Sequence, residues 1–227
     1  MNKAERITST DYRHPYRPLP VAIVNRCGAW LQPFGLRATL APDALVSAAR
    51  RRTGLGEFGE PGFLQRLERL TSALESEARL HPLGRFMVSR NLVRILVNRL
   101  RIEDALQRLQ RIEALPMQDP IVVVGLQRTG TTVVHRLLAG DPAHRFLASW
   151  EAINPVPDHD RPNGRPDPRI RTARLAQKGL AYLAPDFSAI HPVEALEPEE
   201  DCLLFDFTLL STVPEATQRI PSFSAWL

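Results

Sequence analysis

Pro120-Ile-Val-Val-Val-Gly-Leu-Gln-Arg-Thr-Gly-Thr-Thr-Val-Val-His135 decides how the rest of the chain is read. Ile121 to Val124 are β-branched and unbroken, the pattern of a strand covered on both faces. Gly125 and Gly130 let the backbone turn tightly and approach a ligand. Thr131 and Thr132 open a helix that carries Val133, Val134, Leu137 and Leu138. The unpaired backbone N–H groups at that helix start are an anion site. The stretch therefore predicts a strand, a glycine loop and a helix that together hold a phosphate or phosphosulfate.

The chain has 227 residues, 44% hydrophobic and 24% charged, an ordinary globular composition able to bury a core. Its net charge of +4 suits an anionic ligand but is too modest to argue for nucleic acid. All but two of the 29 basic residues, Lys3 and Lys178, are arginine. Cys27 and Cys202 fit no metal or redox spacing and read as two reduced, buried thiols. No run approaches the roughly 18 apolar residues of a membrane span. The N-terminus, with Glu5 and Asp11, does not read as a signal peptide. Together these predict a cytoplasmic protein.

Upstream of the loop the pattern is helical. A helix is expected after Pro42, with Asp43 as N-cap and Gly54 as its stop. Pro61 begins the next, with Phe63, Leu64, Leu67, Leu70 and Leu74 at helical spacing. A third region runs from about Gly84 to Leu100 and a fourth from Ile102 to Leu115. Arg79, Arg85, Arg90, Arg94, Arg99, Arg101, Arg108 and Arg111 decorate these helices and read as solvated faces. The period switches at Pro116 and Pro120, so a boundary is placed near Leu115. Residues 1–115 form an N-terminal helical region, and 116–227 the start of an α/β domain.

Downstream, Arg145 to Trp150 reads as a second short strand, residues 158–168 as a surface loop, and Arg169 to Leu183 as a helix. A helix with Leu203, Leu204, Phe207 and Leu210 follows the acidic run Glu199-Glu-Asp201. An α/β domain needs several strands, and only these two are found. The chain also stops at Ala225-Trp-Leu227 without a terminating signal, so a C-terminally truncated chain is expected.

The spacing Gly125-x-x-x-x-Gly130 matches the nucleotide-binding loop Gly-x-x-x-x-Gly-Lys-Ser/Thr, but Thr131 stands where the lysine belongs. That lysine bridges the terminal phosphates in nucleotide hydrolysis. The cation here is Arg128, which lies within the loop. An arginine so placed can stabilise charge on a leaving phosphate, while threonine hydroxyls and amides grip a 5′-phosphate.

Gly125-Leu-Gln-Arg-Thr-Gly-Thr-Thr132 resembles the 5′-phosphosulfate loop of the sulfotransferases that use 3′-phosphoadenosine 5′-phosphosulfate (PAPS). The resemblance is to the bacterial branch with an arginine in the loop. Thr53-Gly-Leu-Gly-Glu-Phe-Gly59, Asn98-Arg-Leu-Arg101, His135-Arg-Leu-Leu138, Trp150-Glu-Ala-Ile-Asn-Pro-Val-Pro157 and Pro198-Glu-Glu-Asp201 are similar to that branch as well. The resemblance implies a P-loop NTPase-like parallel sheet core flanked by helices, preceded by the α-helical N-terminal region. It implies transfer of a sulfuryl group from PAPS, without a metal, to a hydroxyl or amine of a small molecule or glycan. Gly125, Gln127, Arg128, Thr129, Gly130, Thr131 and Thr132 would bind the donor. Two departures stand out. Gln127 replaces the branch's usual proline, and no downstream Arg…Ser motif for the 3′-phosphate follows Asp201.

Sulfuryl transfer needs a base for the acceptor's proton. Glu151 lies where the similar tyrosylprotein sulfotransferases carry a catalytic glutamate, although a carboxylate at a helix start is the structural alternative. His191 is the second candidate, since cytosolic sulfotransferases use histidine. Glu199, Glu200 and Asp201 read either as a helix-start acidic cluster or as groups orienting an acceptor or a loop arginine. The competing readings are a P-loop nucleotide kinase, which Thr131 disfavours, and a non-catalytic fragment or helical interaction module.

Overall fold

The computed structural model describes residues 17–109, 116, 119–126, 129–157, 166–185, 187 and 191–227. Gln127, Arg128, Arg111, the boundary near Leu115 and most of the 158–168 loop lie outside the described residues. The architecture is helical. Helices α1 (Leu19–Leu31), α2 (Pro42–Thr53), α3 (Phe63–Ser76) and α4 (Pro82–Arg108) precede the loop. Helices α5 (Thr131–Ala139), α6 (Ser149–Ile153) and α7 (Pro168–Leu183) follow it. A 3-10 helix, Asp201–Thr208, and short helices Val213–Thr217 and Pro221–Ser224 complete the order. None of the described helices is long and apolar enough to cross a membrane.

The core lies among α2, α3 and α4. Leu45 and Ala49 of α2, Leu67, Leu70 and Leu74 of α3, and Leu92, Leu96 and Leu100 of α4 are buried there with Phe207, Ile220 and Phe223. Their spacing of three and four residues places them on single helix faces. The chain's last residues thus pack back onto the helical region.

Several expectations are corrected. The third and fourth helical regions are one 27-residue helix, α4, because nothing between Leu100 and Ile102 breaks it. Pro42 is inside α2, the N-cap position is Ala41, and Asp43 sits in the first turn, where its charge favours the helix dipole. Cys27 is exposed and Cys202 half-buried. Burial, then the neighbouring Glu200 and Glu199, push the Cys202 thiol up to about 11, which keeps it un-ionised.

The arginines of α4 are not uniformly solvated. Arg85 is 5% and Arg99 8% exposed. Arg85 donates from Nε to the Ala38 carbonyl at 2.6 Å and pairs with the Glu75 carboxylate. Arg94 donates to the Ile153 carbonyl and to Asn91 Oδ1. Arginine suits these positions because its planar fork satisfies several carbonyls at once. Periodicity alone cannot distinguish such a face from a solvated one.

Glu75 lies between Arg85 and Arg37. The Arg85 hydrogen bond is the largest cause holding its carboxyl below the usual range, opposed by partial burial. A carboxyl depressed in the folded state contributes stability above its unfolded pKa of about 4.3, and that contribution is lost as pH falls through the folded value. The urea midpoint should therefore drop on acidification below that point. Glu75→Gln should flatten this acid limb while leaving a lower midpoint at neutral pH.

The expected parallel sheet is absent among the described residues, where the one β-type pairing is an isolated antiparallel bridge between Ala148 and Pro198. Residues 121–126 carry no regular secondary structure, and no backbone hydrogen bond ties them to another described segment. Val122, Val124 and Leu126 are 70%, 85% and 81% exposed. A strand is defined by its neighbours, and an apolar run without them stays open to solvent. The second expected strand is reduced to one bridge: residues 144–147 carry no regular secondary structure, Ala148 bridges to Pro198, and the chain turns into α6 at Ser149.

Candidate functional site

At Gly125 a Cβ would lie 2.8 Å from Thr131 Cγ2 and 3.0 Å from Thr129 Oγ1, so a side chain there would push these threonine side chains aside. Thr129 Oγ1 donates to the Leu126 carbonyl at 2.6 Å. Gly130 has φ of 92°, in the left-handed region that glycine adopts freely, and it is the N-cap of α5. Its carbonyl accepts from Val133 and Val134 at 3.0 and 3.1 Å. The helix start at Thr131 and Thr132 therefore presents its first amides, as an anion-binding turn does.

α5 is tethered by Arg136, whose guanidinium reaches Glu194 Oε1 at 3.3 Å and the Pro192 carbonyl at 3.5 Å. This places the loop helix beside the segment that begins with His191. The same segment pairs with the start of α6. Ser149 N donates to the Glu197 carbonyl, Trp150 N to Ala195 and Glu199 N to Leu147, at 3.0, 3.1 and 2.9 Å. Glu151, His191 and Glu199, distant in sequence, thus belong to one local unit.

Within that unit Glu151 caps α6. Its Oε2 accepts from Ala148 N at 3.1 Å and its Oε1 from Arg145 Nη2 at 2.8 Å. The capping alternative weighed for this carboxylate is thus how the structure places it. Its partner Arg145 is 77% exposed, so that contact is open to exchange. Glu151, Arg145, His144 and Trp150 share the wall of an open depression of about 450 Å³. His191 Nε2 lies 3.9 Å from Glu199 Oε1, beyond hydrogen-bond length, and its ring packs against Phe187 at 5.6 Å. Glu199 is 9% exposed and accepts from Glu200 N at 3.1 Å. Glu199 and Glu200 lead into the 3-10 helix that opens at Asp201, where negative charge is favoured. His135 is half-buried on α5.

The α6 turn is also fixed from the helical region. Asn98, 1% exposed, donates from Nδ2 to the Ile153 carbonyl and to Asn154 Oδ1, both at 3.1 Å. Arg169 donates to the Asn154 and Pro155 carbonyls at 2.9 Å, pairs with Asp167 and stacks over Trp150 at 4.5 Å. Arg99 donates to the Phe58 carbonyl at 2.6 Å and the Glu60 carbonyl at 3.2 Å. Asn98 and Arg99 are adjacent, so one turn of α4 holds both residues 58–60 and residues 153–154. Neither positional role, nor those of Arg136 and Arg169, was legible in spacing. Their one sequence signal was that Asn98-Arg-Leu-Arg101 and the Thr53 and Trp150 segments shared a resemblance.

The described residues show a glycine turn at a helix N-terminus, backed by a helical region. Comparison with known proteins narrows this. Residues 120–227 match the Sulfotransferase family, beginning at the first residue of the loop stretch. The chain is similar to the crystal structure of sulfotransferase STF1 from Mycobacterium tuberculosis H37Rv, with 33% identity and a TM-score of 0.61, covering 81% of this chain and 51% of that one. It is also similar to sulfotransferase STF9 from Mycobacterium avium, with 26% identity and a TM-score of 0.68, covering 82% of this chain and 48% of that one. The comparison with curated proteins found no match. The chain belongs to the sulfotransferase family. It spans about half the length of the solved structures it matches.

Proposed function

We propose that the protein transfers a sulfuryl group from PAPS to a hydroxyl or amine acceptor. The observation that carries this reading is the coincidence of the family match with the loop geometry. The match starts at Pro120, and the loop it contains opens a helix at Gly130. In this reading the amides and hydroxyls of Thr129, Thr131 and Thr132, with Gly125, Gln127 and Gly130, hold the 5′-phosphate of the donor. Arg128 neutralises charge on the phosphate as the S–O bond to sulfur breaks. The acceptor oxygen or nitrogen attacks sulfur in line and gives up its proton to a base. The sulfuryl group moves without any change in oxidation state, and the reaction as the family resemblance has it uses no metal.

Glu151 is the proposed base, supported by its place on the wall of the open depression beside Arg145 and Trp150. Its contact with the exposed Arg145 would exchange for the acceptor's hydroxyl. Glu151→Gln should lower the transfer rate about 100-fold, the usual contribution of a general base, with donor affinity unchanged. An unchanged rate together with a lower melting temperature would leave Glu151 as a helix cap only, and His191, beside Glu199, would be the base to test next. The whole reading is tested with radiolabelled PAPS and a pooled acceptor extract. Labelled product and calorimetric binding of PAPS support it. No product and no binding, or ATP-dependent phosphoryl transfer requiring Mg²⁺, would overturn it.

A further inference from the structure

Asp206 lies outside the machinery described above. It belongs to the 3-10 helix Asp201–Thr208, is 6% exposed, and its Oδ1 has no hydrogen-bond partner among the described residues. The Ser211 hydroxyl hydrogen-bonds the same carboxyl, and Arg94 acts on it only through its charge. Three of Arg94's five N–H donors go to Ile153 and Asn91. An unpaired acceptor buried this deeply is costly, and folded proteins leave few of them without a use.

Asp206 also lines a cleft of about 290 Å³ between α3, α4 and the segment after the 3-10 helix. Its other walls are mainly apolar, formed by Leu70, Leu74, Leu92, Ile95 and Leu209, with Met87 among the lining residues. The volume lies just below the range for small-molecule sites, about 300–1,000 Å³, so it suits a compact ligand. Asn91, Ser211, Thr217 and Gln218 also line it, and a mainly apolar enclosure with a few convergent polar groups is the usual composition of such a site. Of the lining residues, none belongs to the 120–132 loop or to α6, so the inference stands independently of the transfer reaction.

We infer that this cleft binds a compact apolar molecule bearing a single hydroxyl, its apolar body between α3 and α4 and its O–H donated to Asp206. Burial is the largest cause raising the Asp206 carboxyl above its usual range, with Ser211 and Arg94 opposing it, and a donated hydrogen bond offsets that burial. A ligand donor adds a partner to the Asp206 carboxyl at the cleft wall, and a ligand without one leaves that carboxyl with Ser211 alone.

The test titrates the 227-residue chain with 2-naphthol and with 2-methoxynaphthalene, which has the same ring body but no donor, following binding by calorimetry and naphthol fluorescence. Saturable binding of 2-naphthol, about tenfold tighter than of the methyl ether, is expected from one hydrogen bond to a charged group. Asp206→Leu should remove that preference while still binding both rings. Met87, 47% exposed, can be enlarged without disturbing the core, and Met87→Trp should weaken both probes at least tenfold. Absence of saturable binding, equal affinities in the unaltered protein, or binding untouched by Met87→Trp would each overturn the inference. The Met87 variant decides the matter even if Asp206→Leu fails to fold.

Discussion

Arg128→Ala is expected to abolish measurable sulfuryl transfer, with kcat falling about 10³-fold or more. Thr131 stands where the lysine of nucleotide-binding loops would sit, so in the proposed reaction Arg128 is the loop's own cation. Charge develops on the phosphate as the sulfuryl group departs, and a fixed cation aimed at it is worth more in the transition state than in the ground state. Losing one preorganised donor of this kind costs roughly 10²–10³ in rate, and losing a catalytic arginine in phosphoryl transfer about 10³–10⁵. PAPS affinity should fall much less, because the helix-start amides and threonine hydroxyls remain. Arg128→Lys should recover only part of the rate, since a point charge lacks the planar fork. Single-turnover measurements with labelled PAPS separate these effects. Turnover persisting in Arg128→Ala would show that the loop had been assigned the wrong role.

The second large effect is on folding. Arg99→Ala should destabilise the chain by about 3–5 kcal/mol, since each stranded buried acceptor costs about 1–3 kcal/mol. Arg99 is 8% exposed and donates to the carbonyls of Phe58, Glu60 and Phe207, the last at 3.0 Å. It also lies over the Phe63 ring, 4.9 Å from its centre. Removing it strands three carbonyls and separates α4 from both residues 58–60 and the 3-10 helix. Domain stabilities are about 5–15 kcal/mol, so a large share of the folding free energy would go. Urea unfolding followed by circular dichroism checks this. Arg99→Lys should be nearly as damaging, because one ammonium cannot serve three carbonyls in three directions. A loss below about 1 kcal/mol would mean these contacts are replaceable by solvent.

The helical region was legible because helix signals are local. Leu67, Leu70 and Leu74 repeat at helical spacing, and Gly54 stops α2 in the left-handed conformation. The glycine loop was legible for the same reason: a side chain at Gly125 would push threonine side chains aside, and φ is positive at Gly130. The burial of α4's arginines was not legible. A solvated arginine and one binding three carbonyls leave the same trace in sequence, since the carbonyls come from segments 41 and 108 positions away. The grouping of Glu151, His191 and Glu199 likewise depends on pairing between residues 147–150 and 195–199.

The sequence by itself therefore determined the short-range elements: the helices, the glycine N-cap and start of the loop helix, and the family to which these belong. Only the tertiary structure decided which polar groups are interior. It turned Arg85 and Arg99 inward, made Glu151 a cap as well as a candidate base, and buried Asp206 in an apolar cleft. It also left Val122 and Val124 exposed, although their sequence is that of a buried strand. The physical reason is common to all of these. Backbone conformation follows from neighbours along the chain, whereas burial and hydrogen-bond partnership are set by segments brought together from far apart.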